Sequence, residues 1–222
     1  MLWLITGVSR GIGRAIAERV LKDGDRITGV SRRVPEDLLR EFPDRFRHVK
    51  ADLSREEDIM RVVESVDEPF DFLVNNAGVL VRESYPDFRQ DDFLFTLKVN
   101  TFAPLKLTAE LDRRNLLKKG AKVLNTSSVM GSIALSSSSH SWSYSISKAA
   151  LNIVTKLLSS QLSGKGIVVV SIHPGWVRTD MGGPAAPVLP EESADGIVSL
   201  ARRITMRDSG KFFEYTGREL PW

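Results

Sequence analysis

Residues 2–13 read Leu-Trp-Leu-Ile-Thr-Gly-Val-Ser-Arg-Gly-Ile-Gly, and this stretch decides the fold. The apolar run Leu2–Thr6 predicts a strand without a solvated face, and apolar residues at helical spacing begin at Gly11. Glycines at positions 7, 11 and 13 allow the backbone between them to turn tightly and to approach a bound molecule closely. A buried strand, a glycine-rich turn and a helix are typical of the first unit of a parallel α/β sheet.

The same alternation continues through the rest of the chain. Strands are predicted at Leu2–Thr6, Arg26–Ser31, Arg45–Lys50, Phe70–Asn75, Ala121–Ser127, Gly166–His173 and Lys211–Glu214. Helices are predicted at Gly11–Lys22, Glu36–Glu41, Arg55–Val66, Asp91–Arg113, Tyr144–Leu162 and Glu191–Arg203. Ser54, with Glu57 three residues later, predicts a capping box before the third helix. The pattern predicts a single-domain, doubly wound α/β Rossmann fold, with about seven mainly parallel strands and helices on both faces.

Composition narrows the class of protein. The 222 residues are 42% hydrophobic and 27% charged, which is typical of one folded domain. The absence of cysteine excludes disulfides, thiolate metal sites and cysteine nucleophiles, and it suits a reducing compartment, so we expect a cytoplasmic protein without a metal. We expect no membrane association, because no apolar run approaches the length of a span and the first residues form no basic leader. The net charge of +3 comes from basic pairs interspersed with acids, so we expect no nucleic-acid partner.

The glycine turn is a candidate binding site for a dinucleotide. Free amide groups and the helix dipole favour a pyrophosphate at the start of the helix, and the strand–turn–helix context makes this the leading interpretation. The residues expected to line this site are Gly7, Ser9, Arg10, Gly11, Ile12 and Gly13.

Two other glycine-containing motifs, the nucleophile turn of hydrolases and the P-loop, are alternatives to this interpretation. Gly7-Val8-Ser9-Arg10-Gly11 also matches the hydrolase pattern G-x-S-x-G. That design needs an earlier strand and a late histidine base, whereas only six residues precede Gly7 and the last histidine, His173, lies at a predicted strand end. We therefore disfavour a hydrolase. A P-loop is excluded because no Gly-Lys-Ser/Thr follows at the required spacing.

The end of the second strand indicates which cofactor is preferred. It reads Val-Ser-Arg-Arg over residues 30–33, about twenty residues beyond the glycines. A carboxylate at this point binds the ribose of NAD, whereas a guanidinium can hold the 2′-phosphate of NADP. We predict that Ser31 and Arg32 contact the cofactor and that NADP(H) is preferred over NAD(H). Whether Arg33 contributes stays open.

A second group of chemistry-bearing residues follows the fifth strand. Ser128 ends the run Asn-Thr-Ser-Ser, and Tyr144-Ser-Ile-Ser-Lys148 begins a helix sixteen residues later. A tyrosine and a lysine four residues apart share one helix face, so the ammonium can lower the pKa of the phenol and stabilise the phenolate. Such pairs are common on helices, and this one becomes informative together with the other motifs.

Five motifs in this order resemble the short-chain dehydrogenase/reductase family: the glycine turn, Asn75-Asn76-Ala77-Gly78, Ser128, Tyr144-x-x-x-Lys148 and Pro174-Gly175. The resemblance covers essentially the whole chain and implies an NADP-dependent oxidoreductase. It also implies that the single domain 1–222 has a mainly cofactor-binding half, 1–120, and a catalytic and substrate-binding half, 121–222.

The resemblance implies roles for individual residues. Tyr144 would donate a proton to the substrate carbonyl oxygen as hydride arrives, and Ser128 would hydrogen-bond the same oxygen. Lys148 would tune Tyr144 and bind the nicotinamide ribose. Asn100 would support a proton relay to Lys148, the alternative being a polar residue bonded inside a helix. Further cofactor contacts are implied for Asp52, Leu53, Asn76, Ala77, Gly78, Tyr144, Lys148, Pro174, Gly175, Val177 and Thr179.

Residues 174–187 and 217–222 narrow the resemblance to the sniffer and C-factor-like carbonyl reductases, which implies NADPH-linked reduction of small ketones and aldehydes. The spacing from Ser128 to Tyr144 suits this subgroup, although Ser127 and Ser132 are near enough to compete for the role of the serine.

The expected pocket wall is apolar and aromatic, which favours a neutral carbonyl substrate. Its residues are Val129, Ile133, Leu135, His140, Trp142, Trp176, Met181 and Ala185, and its loops are Ser136–Ser139 and Gly182–Pro190. An NADP(H)-binding signalling or regulatory protein with little turnover is the alternative function. A homo-oligomer, dimer or tetramer, and a monomer are both compatible with the sequence.

Overall fold

The computed structural model describes residues 1–136 and 140–222, and its centre is one sheet. The strands are β1 (Leu2–Thr6), β2 (Arg26–Ser31), β3 (Phe46–Lys50), β4 (Phe70–Asn75), β5 (Leu117–Thr126), β6 (Val168–His173), β7 (Phe212–Glu214) and β8 (Glu219–Leu220). They lie in the order β3-β2-β1-β4-β5-β6-β7-β8. All neighbouring strands are parallel except the pair β7 and β8. The order reverses between β1 and β4, and a ligand binds at such a point in an open α/β sheet.

Helices cover both faces of the sheet. They are α1 (Gly11–Lys22), α2 (Glu36–Glu41), α3 (Glu56–Glu64), α4 (Gln90–Leu97), α5 (Ala103–Arg113), α6 (Trp142–Gln161) and α7 (Pro190–Arg203). Apolar residues of α1, α2 and α7 form one buried cluster with the sheet, and those of α3, α5 and α6 form the other. The doubly wound Rossmann fold predicted from the sequence is therefore confirmed.

Four local details differ from the sequence predictions. The sheet has an eighth strand, Glu219–Leu220, and β5 begins at Leu117 rather than Ala121. The helix predicted over Asp91–Arg113 is divided by a π-helical segment, Lys98–Phe102, which lies between α4 and α5. Ser54 forms no capping box: α3 has Arg55 as its N-cap residue, and the amide of Ser54 instead donates to Asp52 Oδ1 at 3.0 Å.

A buried polar network joins the carboxyl ends of the central strands. Asn75 Nδ2 on β4 donates to Asn125 Oδ1 on β5 at 2.8 Å. Asn125 Nδ2 in turn donates to Thr155 Oγ1 on α6 at 2.9 Å, and Thr155 Oγ1 lies 2.8 Å from Ser171 Oγ on β6. These bonds fix α6 against the strand ends where ligands bind in this type of sheet.

Among the residues that the structure describes, none of the helices combines the length and the apolar character that crossing a membrane requires.

Candidate active site

The first turn is built so that only glycine fits at its centre. Gly7 and Gly11 have φ values of +80° and +57°, which favour glycine. A Cβ atom on Gly13 would lie 2.3 Å from Asn76 Nδ2 and 2.4 Å from the carbonyl oxygen of Gly7. The turn, the start of α1 and the segment after β4 therefore pack as one unit.

Thr6, which sequence analysis did not single out, joins this unit to β4. Its hydroxyl oxygen accepts from the amides of Asn76 at 2.9 Å and Ala77 at 3.0 Å. Asn76 Nδ2 also donates to the carbonyl oxygen of Thr6 at 3.0 Å. The predicted cofactor residues of the segment 76–78 are thereby held beside the glycine turn.

The start of α1 faces the carboxyl edge of the sheet. Its N-cap residue, Arg10, makes no side-chain capping bond there. Arg10 Nη1 instead donates to Asp180 Oδ2 at 2.5 Å, and both side chains are exposed. Ser9 is half-buried, and Ile12 packs against the core. The first-turn amides of α1 are thus open to an anion.

The ends of β2 and β3 bring Arg32 close to Asp52. Ser31 is buried and donates to the carbonyl oxygen of Arg33 at 2.7 Å, while Arg32 and Arg33 are exposed. Burial raises the pKa of Asp52, but bonds from Ser54 and the positive charges of Arg32 and Arg55 outweigh it, so the pKa lies below its ordinary value. Leu53 packs against the core beside this point. Arg32 and Arg33 therefore present two guanidinium groups at the end of β2, where the 2′-phosphate of NADP is predicted to bind.

Three candidate catalytic side chains lie together between β5 and α6. The hydroxyl group of Ser128 lies within hydrogen-bonding reach of the Tyr144 hydroxyl, and Lys148 Nζ lies 5.5 Å from the centroid of the Tyr144 ring. Burial raises the pKa of Tyr144 to about 12, and the bond from Ser128 opposes that rise. Burial lowers the pKa of Lys148 to about 8. The amine of Lys148 donates to the carbonyl oxygen of Thr126 at 2.6 Å, which fixes it beside the phenol.

The two competing serines face elsewhere. Ser127 Oγ donates to Asn152 Oδ1 at 2.6 Å, and Ser132 Oγ donates to the carbonyl oxygen of Pro221 at 2.8 Å. Within the described residues, Ser128 is the one of the three whose hydroxyl lies within reach of Tyr144.

Asn100 lies in the π-helical segment and is fully buried. Its Oδ1 accepts from the amide of Val79 at 2.8 Å, and its Nδ2 donates to the carbonyl oxygen of Val79 and to Ser147 Oγ. A Cβ atom on Gly78 would lie 3.2 Å from Asn100 Oδ1 and 3.7 Å from Lys148 Nζ. Asn100 therefore braces the segment beside Lys148, and its part in a proton relay stays a prediction.

The loop after β6 folds back across the first turn. Gly175, at φ +86°, turns the chain beside the Tyr215 ring, and the carbonyl oxygen of Pro174 accepts from Ser193 Oγ at 2.6 Å. Val177 is buried. Thr179 Oγ1 accepts from the amide of Gly182 at 3.2 Å, and its methyl group would lie 3.3 Å from a Cβ atom on Gly11. The loop therefore closes one side of the predicted cofactor cleft.

The predicted pocket wall is largely exposed apolar surface. Ile133, Leu135, Trp142, Trp176 and Met181 all belong to the exposed large hydrophobic residues, and Val129 is half-buried. His140 and Ala185 are exposed as well. Of the serine-rich loop, Ser137–Ser139 lie outside the described residues.

His173 is the last residue of β6, as the sequence predicts. Its Nδ1 atom lies 3.4 Å from the amide of Val129, which donates to it, and burial lowers its pKa to about 4. The imidazole is therefore neutral at pH 7. It accepts a hydrogen bond from the backbone at the end of β6.

Comparison with known proteins decides the family. The model of the family described as short chain dehydrogenase matches residues 2–188. The chain belongs to the short-chain dehydrogenases.

Proteins similar to this short-chain dehydrogenase include C-signal and two carbonyl reductases of known structure. It is 38% identical to C-signal of Myxococcus xanthus over 157 residues, which cover 69% of this chain and 93% of that protein. The NADPH-bound carbonyl reductase from chicken fatty liver is 28% identical, with a TM-score of 0.92 over 99% of this chain and 98% of that one. Carbonyl reductase Sniffer of D. melanogaster is 29% identical, with a TM-score of 0.90 over the same shares.

The residues of this short-chain dehydrogenase fit a nicotinamide dinucleotide. The uncapped first-turn amides of α1 and the exposed guanidinium group of Arg32 at the end of β2 can donate to phosphate groups. Gly78 leaves room for close approach beside Lys148. Across residues 1–136 and 140–222, no cluster of three His, Asp or Glu side chains could hold a metal ion.

Proposed function

We propose that this short-chain dehydrogenase is an NADPH-dependent carbonyl reductase in which Tyr144 is the general acid. The observation that carries the proposal is that the hydroxyl groups of Ser128 and Tyr144 lie within reach of each other, beside the buried amine of Lys148. A protein that only binds a dinucleotide needs no proton donor at this place, whereas a reductase does.

Tyr144 holds the proton that the reaction consumes. NADPH, when bound, supplies a hydride to the carbonyl carbon. Because burial raises the pKa of Tyr144 to about 12, the phenol is protonated at neutral pH and can give its proton to the carbonyl oxygen. Ser128 lies within hydrogen-bonding reach of the same hydroxyl and can donate to the oxygen as negative charge develops on it.

Lys148 makes that proton easier to transfer. Its pKa of about 8 leaves most of the amine charged at pH 7, and a cation 5.5 Å from the ring centroid stabilises the phenolate that remains. The bond to the Thr126 carbonyl oxygen keeps the amine in that position. Lys148 would also bind the nicotinamide ribose, and Asn100 would support proton return through its contacts beside Gly78.

Arg32 supports the choice of NADPH over NADH. It is exposed at the end of β2, where the adenosine ribose binds in a fold of this type, and its charge can pair with the 2′-phosphate. Arg10 is a second cation at the start of α1, and its guanidinium group would have to leave Asp180 to reach the cofactor. The chicken carbonyl reductase similar in fold to this chain is described as NADPH-bound, which agrees with this choice.

The substrate is proposed to be a neutral ketone or aldehyde with an apolar body. Trp142, two residues before the proposed proton donor, is exposed, and so are Trp176 and Met181 in the loop after β6. Their side chains offer apolar contacts.

The proposal is tested by measuring the loss of NADPH absorbance in the presence of a panel of aldehydes, ketones and diketones. The same assays are run with NADH. Turnover with NADPH and weaker turnover with NADH is the expected result. Tight NADPH binding without turnover of any carbonyl would contradict the proposal. It would favour the regulatory alternative, with which the name of the relative C-signal is compatible.

A further inference from the structure

One acidic side chain in an exposed segment points into the protein. Residues 82–91 are exposed except Glu83, which is half-buried. The amide of Ser143 donates to Glu83 Oε1 at 2.5 Å, and the amide of Glu83 donates to the carbonyl oxygen of His140 at 3.3 Å. Glu83 therefore joins the segment after β4 to the chain just before Tyr144.

The partner of Glu83 lies in the first turn of α6, next to the proposed proton donor. α6 begins at Trp142 and has no acidic residue in its first turn, so Glu83 supplies the negative charge at this helix end from a distant segment. A carboxylate at a helix N-terminus is favoured by the free amides and the helix dipole. The bond holds the backbone one residue before Tyr144.

The other side of the same helical turn is held independently. Ser147 Oγ donates to the carbonyl oxygen of Tyr144 at 2.7 Å and accepts from Asn100 Nδ2 at 3.0 Å. Glu83 and Asn100 thus bracket Tyr144, one through Ser143 and the other through Ser147.

The contact between Glu83 and Ser143 leaves two buried polar atoms without hydrogen bonds, which is unfavourable for stability. In the described part of the chain, Glu83 Oε2 and Ser143 Oγ are buried without hydrogen-bond partners. Buried polar atoms without hydrogen-bond partners destabilise a folded protein, and they are rare in native structures. Their presence beside Tyr144 indicates that the position of this carboxylate serves the site.

We propose that Glu83 is a positioning residue, which anchors the first turn of α6 through Ser143 and so fixes the Tyr144 hydroxyl for proton transfer. The inference rests on the proposed reductase function for its kinetic consequence, but the anchor itself does not depend on turnover. Glu83 touches neither substrate nor cofactor in this account, so its loss should lower kcat and leave the dissociation constant of NADPH nearly unchanged.

The experiment compares Glu83→Ala, Glu83→Asp and Glu83→Gln with the wild type. Glu41→Ala is the control, because Glu41 is an exposed glutamate at the end of α2. For each protein we would measure kcat with NADPH, the NADPH dissociation constant by fluorescence, and hydrogen exchange of the amides of residues 142–146 by mass spectrometry.

We expect Glu83→Ala to lower kcat about 10- to 100-fold, because small displacements of a reacting group have effects of that size. Exchange over 142–146 should become faster in the same variant. Glu83→Gln keeps an acceptor oxygen at the same reach and should restore most of kcat and of the protection. Glu83→Asp, one methylene shorter, should behave like Glu83→Ala, and it replaces that variant if Glu83→Ala does not fold.

Three results would overturn the proposal: unchanged exchange over 142–146, unchanged kcat, or an NADPH affinity that falls as far as kcat. If the wild type reduces no carbonyl at all, the reductase proposal fails separately. The exchange data then decide the anchor alone, since faster exchange without Glu83 supports it and unchanged exchange contradicts it.

Discussion

The hydroxyl group of Ser128, just beyond the carboxyl end of β5, lies within hydrogen-bonding reach of the hydroxyl group of Tyr144, in the first turn of α6. The two residues are brought together by the packing of α6 on the sheet, which the network from Asn125 through Thr155 to Ser171 holds in place. A carbonyl oxygen placed between these hydroxyls would receive two hydrogen bonds, one of which carries the transferable proton.

This relationship predicts that Ser128→Ala lowers kcat by about 10²- to 10³-fold, the usual effect of removing one donor to a developing oxyanion. The matched control is Ser132→Ala, because Ser132 is bonded to the carbonyl oxygen of Pro221 instead of Tyr144. Steady-state rates with NADPH measure both variants. Full activity of Ser128→Ala would move the role to another serine.

The buried amine of Lys148 predicts how stability changes with pH. Its pKa is about 8 in the folded protein, below the ordinary value of 10.5, so the unfolded chain binds more protons between those values. The free energy of unfolding should therefore rise by about 3 kcal/mol from pH 8 to pH 10.5, and below pH 8 the full penalty for the buried charge is present.

Urea unfolding of the wild type and Lys148→Met at pH 7.5 and pH 10 measures this difference. Tyr144 acts in the opposite direction above pH 10, because burial raises its pKa to about 12. Comparing two proteins that both keep Tyr144 removes most of that contribution. Parallel stability curves for the two proteins would show that the amine is not buried in this way.

Arg32 predicts the cofactor preference. Arg32→Asp should lower kcat/KM for NADPH by about 10- to 100-fold, the equivalent of losing hydrogen bonds to a charged group, and should raise it for NADH. Arg33→Asp, measured alongside, decides whether the neighbouring guanidinium contributes. Arg40→Asp is the charge-matched control, since Arg40 is exposed on α2. An unchanged ratio of NADPH to NADH activity in Arg32→Asp would refute the assignment.

Gly13 predicts a steric limit at the first turn. A methyl group there would meet Asn76 Nδ2 at 2.3 Å and the carbonyl oxygen of Gly7 at 2.4 Å, so Gly13→Ala should reduce the free energy of unfolding by about 1 to 3 kcal/mol and weaken NADPH binding. Gly164→Ala is the control, because nothing lies within 4 Å of a Cβ atom at that position. Thermal unfolding and NADPH titration compare the two, and equal behaviour would contradict the packing described.

Most of the fold and much of the candidate site could be predicted from periodic apolar patterns and short motifs. The strands β1, β2 and β4 and the helices α1 and α2 lie where the sequence predicts them, because buried strands and amphipathic helices have regular apolar spacing. The tyrosine and lysine pair was predictable for the same reason, since a spacing of four residues places both on one face of α6.

Features that depend on distant contacts were not predictable. β8 has only two residues and exists through pairing with β7, and the π-helical segment around Asn100 keeps the apolar period of an ordinary helix. Ser54 had the local pattern of a cap, but its amide bonds to Asp52 and the helix begins later. Thr6 and Glu83 carry no motif, since their importance comes from segments about 60 or more residues away.

The most direct test of the reductase account is the effect of Tyr144→Phe on catalysis and on NADPH binding, measured on the same preparation. If Tyr144 is the general acid, kcat should fall by about 10²- to 10⁴-fold, the usual contribution of such a group, while the dissociation constant of NADPH stays nearly unchanged. A Tyr144→Phe protein that reduces carbonyls at close to the wild-type rate would contradict this role, because the proton would then come from another group.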